Sequence, residues 1–311
     1  MTVVRLVRGS ATPARPGPGP MPRSLLHALD VTIGRRVEGL LAGDYRSKVN
    51  GIGTELSQVR PYVPGDDVRH IDWNVTARTG EAHVRVHLAE RVLVTWLVLD
   101  ISPSMGFGTA DRRKADVAEG VAVAIGHVAT RRGNRLGIVT YGDANPRFSP
   151  ARPGRSGLLG LLASVREEDT FRPGEPVGST SLGAALTRTG ALAAQRALVV
   201  VVGDFRGPRD WRLPVLALAA RHEVLAVEIR DRREQELPAL GELAVVDPET
   251  GRQLLVDTAS PAFRSRFAAS AVAERREVEL EFRSAGVRHA VLVTEGDWLR
   301  PLAAFLEKGT R

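Results

Sequence analysis

Asp100-Ile101-Ser102-Pro103-Ser104 sets a carboxylate and two hydroxyls at alternate positions, directly after the apolar run Val92 to Leu99. Hard oxygens of this kind suit Mg²⁺ or Mn²⁺ rather than zinc or copper. Two more oxygen-bearing positions fall at predicted element boundaries. Thr180 lies in Gly178-Ser179-Thr180-Ser181, at the start of a helical pattern, and Asp204 follows the buried-strand run Ala197 to Val202. Two carboxylates and three hydroxyls can fill an octahedral shell, directly or through water. The hydroxyls are neutral, so an ion held there keeps much of its charge and attracts an outside carboxylate. Taken singly, Asp100 and Ser102 could brace a turn and Thr180 could be a helix cap. The ordered set, each member at a strand or helix end, points to a metal site.

Such a site needs elements that bring distant positions to one edge, and the chain has them. Val92 to Leu99 is a near-continuous apolar run, as expected of a strand covered on both faces. Asp116 to Arg132 has helical spacing and ends at Gly133-Asn134; Leu136 to Tyr141 reads as a strand and Arg147 to Ser149 as a short edge strand. Helices over Gly157 to Arg166, Thr180 to Gln195 and Trp211 to Arg221 alternate with strands over Ala197 to Val202 and Glu223 to Ile229. Glu242 to Thr258 breaks the alternation as a β-hairpin insertion about the turn Asp247-Pro248-Glu249-Thr250-Gly251. A helix over Ala262 to Ser284, a strand over Arg288 to Thr294 and a helix over Trp298 to Lys308 close the pattern. The prediction is α/β, a doubly wound and mostly parallel sheet, whose ligands bind beyond the carboxyl ends of the strands.

Upstream the text changes. Residues 1–23 are rich in Pro, Gly and Ala and read as a disordered leader without a secretory h-region. Residues 24–91 start with a helical pattern from Ser24 to Lys48 and continue as an irregular segment with short strands. Residues 92–311 hold the sheet. Composition narrows the function classes. Without cysteine there are no disulfides, no thiol catalysis and no Cys-based zinc or iron–sulfur site, which fits a cytoplasmic protein. No apolar run reaches the about 18 residues of a membrane span. The net charge is +7, almost all from Arg, but the Arg residues are interleaved with Glu and Asp and aromatics are only 5%. A solvated surface is favoured over a nucleic-acid face. No Gly-x-x-x-x-Gly-Lys-Ser/Thr loop occurs, so ATP hydrolysis by this chain is not expected.

A second string stands out: Arg60-Pro61-Tyr62-Val63-Pro64-Gly65-Asp66-Asp67-Val68-Arg69-His70-Ile71-Asp72-Trp73. Pro64-Gly65-Asp66-Asp67 is turn chemistry, and Arg60, Arg69 and Arg78 beside Asp66, Asp67 and Asp72 invite bidentate Arg–carboxylate pairs.

Asp-x-Ser-x-Ser with a later Thr at a helix start and a later Asp after a strand resembles the metal-ion-dependent adhesion site of von Willebrand factor A domains. The resemblance implies Ser102 and Ser104 as direct ligands, Thr180 as direct or water-mediated, and Asp100 and Asp204 acting mainly through water. The family pattern usually has Asp-Gly in the last motif; here Phe205 follows Asp204. From about Ser24 onward, the Arg60 to Trp73 string and the hairpin resemble the family called domain of unknown function fifty-eight, which joins such a segment to a von Willebrand factor A-like domain. The resemblance implies a non-enzymatic interaction module and a MoxR-type AAA+ ATPase, or its client, as partner. The partner would engage the ion through an acidic residue, and the signature residues Arg60, Tyr62, Pro64, Gly65, Asp66, Asp67, Arg69, Asp72 and Trp73 offer a brace or a partner surface. A metal-dependent hydrolase and an Arg-rich nucleic-acid binder are the alternatives.

Overall fold

Three neighbouring, predominantly apolar strands form the middle of the larger unit because their side chains are buried on both faces of the sheet. They are β4 (Val94–Asp100), β5 (Arg135–Tyr141) and β7 (Leu198–Gly203), and every residue of β4 and β7 is buried. The computed structural model describes residues 5–6, 17–19, 21–22, 24, 27, 55–88, 94–129, 134–143, 146–154, 181–247 and 251–307. The chain divides into two units, Glu38–Val92, and Met1–Val37 together with Leu93–Arg311.

In the larger unit a six-stranded sheet has the order β11-β8-β7-β4-β5-β6. Its other members are β6 (Phe148–Pro153), β8 (Glu223–Arg230) and β11 (Arg288–Val293). All neighbours are parallel except β5 and β6. The sheet is doubly wound, as the alternation of strands and helices predicts. One face carries α2 (Lys114–Ala129) and α6 (Leu299–Glu307), packing Val117, Val121, Ile125 and Leu302 on Leu97 and Ile138. The other carries α3 (Leu182–Leu192), α4 (Arg212–Ala219) and α5 (Pro261–Ser284), packing Leu186, Val215, Val278 and Phe282 on Val98 and Val199. Each such fully buried aliphatic side chain contributes about 1.5–3 kcal/mol.

The predicted hairpin is present as β9 (Glu242–Val246) and β10 (Gln253–Asp257), antiparallel. Strand β1 (Arg5–Leu6), inside the segment expected to be a leader, pairs with β9, and the Trp298 indole N–H donates to the Pro18 carbonyl at 2.8 Å. Helix α3 starts two residues after Thr180, with Ser181 as its N-cap accepting from the Ala184 N–H at 3.2 Å. The expected helix over Gly157 to Arg166 lies outside the described residues, as does that over Ser24 to Lys48 apart from Ser24 and His27.

In the smaller unit β2 (Glu55–Pro61) and β3 (His83–Leu88) form an antiparallel pair, and the chain between them holds the short, about two-turn helix α1 (Trp73–Thr79). Asp72 caps α1, accepting from the Asn74 and Val75 N–H groups, and Gly80 ends it at φ 77°, a left-handed conformation that favours glycine.

Candidate metal and interaction site

The carboxyl ends of β4, β5 and β7 meet at one crest. Because β4 pairs with both β5 and β7, Asp100 at the end of β4 and Asp204 just past β7 are brought to the same place. After Asp100 the chain turns through a 3₁₀ segment, Pro103–Gly106, with Ser102 at its N-cap. The Ser102 hydroxyl makes no capping bond and meets the Ser104 hydroxyl at 2.9 Å. Ser104 in turn donates to Asp204 Oδ2 at 2.8 Å. The Ser102 N–H donates to Asp100 Oδ1 at 2.9 Å. Four of the five predicted ligand positions are thus brought together; Thr180 lies outside the described residues.

Two glycines permit this crowding. Gly142, at φ 90°, lies against Ser102, whose N and Cβ would stand 2.6 Å from any added Cβ. At Gly203 an added Cβ would collide with the Tyr141 hydroxyl and lie 2.9 Å from Asp100 Oδ2. Phe205 takes φ 53° at the position where the adhesion-site pattern usually has glycine. It holds that left-handed conformation because its ring is buried against Trp211 and Phe282, with centroids 6.1 and 4.9 Å away.

Lys114, the first residue of α2, is fully buried. Its ammonium donates to Asp204 Oδ2 and to Glu234 Oε1, each at 2.7 Å. Glu234 is fixed by a capping box, its Oε2 accepting from the Asp231 N–H at 3.1 Å, and Arg206 reaches its Oε1 at 3.0 Å. Burial pushes the Asp204 carboxyl up, but the Lys114 ammonium outweighs it and the net direction is down. For Lys114 burial works toward the neutral form, and Asp204 and Glu234 reverse this and raise it. Asp100 has no such cation: among the described residues it makes no ion pair. Burial, then the charge of Asp204, pushes its carboxyl up to about 7. The Tyr141 hydroxyl, buried with no aligned hydrogen-bond partner among the described residues, is raised by burial and by Asp100.

The crest therefore has a carboxylate in want of a positive charge, two hydroxyls that can turn their lone pairs to it, and an orphaned phenol. A hydrated Mg²⁺ or Mn²⁺ fits this donor set. Among the described residues no group of three or more His, Asp or Glu side chains is placed to hold a metal, so the site is one of hydroxyls and two carboxylates.

In the smaller unit Arg60 and Asp66 form the expected bidentate pair, both contacts at 2.7 Å, and the Val63 N–H closes the turn on Asp66 Oδ2 at 2.9 Å. Asp67 pairs with Arg69 at 2.7 Å. Arg78 forms no carboxylate pair among the described residues. Asp72 pairs with Arg85 of the facing strand at 2.9 Å, and Arg78 donates to the Asn74 carbonyl one turn back. The reason is geometric: Asp72 caps the helix from below, while Arg78 lies in its last turn. Val63, Val68 and Trp73 are exposed, Trp73 at 70%. Tyr62 is half-buried and Pro64 and Gly65 are exposed.

Sequence reading missed Lys114, Glu234 and Tyr141. A signal existed for the first. Lys114 is one of three lysines, and it shares a helical stripe with Val117, Val121 and Ile125, where a solvated charge has no place. Nothing comparable marks Glu234, which is 120 residues away from its partner.

The fold and crest define a doubly wound α/β domain with two carboxylates and two hydroxyls gathered beyond the carboxyl ends of its central strands. The family model described as a protein of unknown function, DUF58, matches residues 58–277. An uncharacterized protein of Mycobacterium tuberculosis is 39% identical over 289 residues, covering 92% of this chain and 89% of that protein. The chain belongs to the DUF58 family. Similar solved structures include the conserved hypothetical protein BatB of Bacteroides thetaiotaomicron, at 13% identity and TM-score 0.42, covering 70% of this chain and 97% of that one. A von Willebrand factor type A structure from Catenulispora acidiphila has 15% identity and TM-score 0.38, covering 71% of this chain and 42% of that one. No helix among the described residues is long and apolar enough to cross a membrane.

Proposed function

We propose that this protein is a cytoplasmic, non-enzymatic interaction module that binds a divalent cation at its crest and engages a partner's acidic residue there. The observation that carries the reading is the buried pair of Asp100 and Asp204, of which Lys114 bonds directly to Asp204 and not to Asp100. Asp100, Ser102, Ser104 and Asp204 would hold Mg²⁺ or Mn²⁺, with Thr180 as a fifth member. When bound, the ion supplies a Lewis-acidic position for an outside carboxylate. The chain's own groups set the terms. Lys114 and Glu234 fix Asp204, the Ser104 hydroxyl links it to Ser102, and Gly142 and Gly203 let the three strands close to this distance.

The family resemblance supports a MoxR-type AAA+ ATPase or its client as the partner, in complex assembly or a chaperone-like role. The exposed Val63, Val68 and Trp73 of the signature segment give such a partner a second, apolar contact. The test is binding of a MoxR-type ATPase to the immobilised protein in Mg²⁺ and in EDTA. The expected result is a complex lost in EDTA and in Asp100→Ala. A complex indifferent to both overturns the metal-mediated reading.

A further inference from the structure

Strand β11 is an edge: among the described residues it pairs with β8 alone. Val287, just before the strand, is covered by α5, where Val278 and Phe282 join it in the core. The cover stops there, and Val291 and Val293 stay exposed at 41% and 47%. Beside them lies a cavity of about 540 Å³ whose lining includes Arg230, Arg275, Arg283, His289, Val291 and one carboxylate, Glu279.

Positive charge is in excess around it. Arg230 pairs with Glu228 and Arg283 with Glu279, while Arg275 makes no ion pair among the described residues. His289 Nε2 stands 2.9 Å from Glu228 Oε2 but out of hydrogen-bond alignment. Burial presses the buried Arg230 guanidinium below its ordinary value; Glu228 opposes this and the neighbouring Arg275 and Arg206 add to it. Three guanidiniums thus face two carboxylates at the rim of an apolar strip.

We propose that the β11 edge, with Arg275 and Arg283, is a docking site for an acidic, extended segment of a protein partner, added to the sheet as a further strand. An edge strand offers unpaired N–H and C=O groups, and main-chain pairing there is an established way to hold an extended peptide. A strand so added lies about 4.8 Å from β11 and turns alternate side chains to one face. On the face of Val291 and Val293 those side chains meet the cavity, where carboxylates find Arg275 and Arg283 and aliphatic groups find the valines. The proposal rests on reading the protein as an interaction module and not on the metal.

The test is fluorescence anisotropy of a short labelled peptide alternating valine and glutamate, titrated with the full chain in EDTA and in Mg²⁺. The expected result is saturable binding, equal in both and weakened by salt. Arg275→Glu, and separately N-methylation of alternate peptide amides, should each weaken it at least about tenfold. Asp100→Ala should leave it unchanged, so failure at the metal crest reads out separately. Absence of saturation overturns the proposal, as does equal binding of a peptide with lysine in place of glutamate. Equal binding by a folded Arg275→Glu variant, checked by circular dichroism, also overturns it. Sedimentation of the free protein as a dimer that Arg275→Glu disperses assigns the edge to a second copy and overturns it too.

Discussion

The Lys114 ammonium lies 2.7 Å from Asp204 Oδ2, the same oxygen that accepts from the Ser104 hydroxyl. A buried internal cation thus already holds one of the two carboxylates of the crest, and the other makes no ion pair among the described residues. This division explains why Asp100 is pushed up to about 7 while Asp204 is held down, although both are buried.

Lys114→Met removes that cation and strands Asp204 and Glu234. Breaking a buried, hydrogen-bonded ion pair from one side costs about 3–5 kcal/mol. We expect a loss of that order in urea denaturation without metal, and a larger stabilisation by Mg²⁺ than in the wild type, because Asp204 loses its internal cation while Glu234 keeps Arg206. The double variant Lys114→Met, Glu234→Gln should recover part of the loss. A single variant as stable as the wild type would show that the ammonium does not balance the crest.

Phe205 exchanges backbone strain for packing. Phe205→Gly relieves a left-handed φ worth about 1–2 kcal/mol but removes a buried ring worth about 3–5 kcal/mol. The expected net effect is a destabilisation of about 2–3 kcal/mol, with the position of Asp204 and hence Mg²⁺ affinity little changed. A stabilised variant would mean that the ring contributes little.

His222 is buried, and neither ring nitrogen has a partner among the described residues. Burial, then Arg221 and Arg196, lowers it from its ordinary 6.5. The folded state therefore binds fewer protons than the unfolded one, so stability is fully present above that value and declines as pH falls below it. Comparing urea midpoints at about pH 7.5 and about pH 5.5 should show a drop that His222→Leu reduces. An unchanged slope in the variant would contradict this.

Much of the sheet was legible because its strands are buried on both faces and so lack polar interruption. Val94 to Asp100 and Leu198 to Gly203 stand out for that reason alone. The direction of β6 was not legible, since a short strand such as Phe148–Pro153 alternates in exposure whichever way it runs. At the crest, Asp100, Ser102, Ser104 and Asp204 could be read from their places at element ends. Lys114 and Glu234 could not be paired, because nothing local records a contact between the start of α2 and a turn past β8. The Asp72 partner was not legible for a similar reason: Arg85 is a neighbour only once β3 folds back on β2.

The most direct test is titration calorimetry of Mg²⁺ and Mn²⁺ into metal-stripped protein, wild type beside Asp100→Ala. Saturable binding in the wild type and none in Asp100→Ala is the expected result. No binding in either protein, or equal binding in both, would contradict a cation held by Asp100 at the crest.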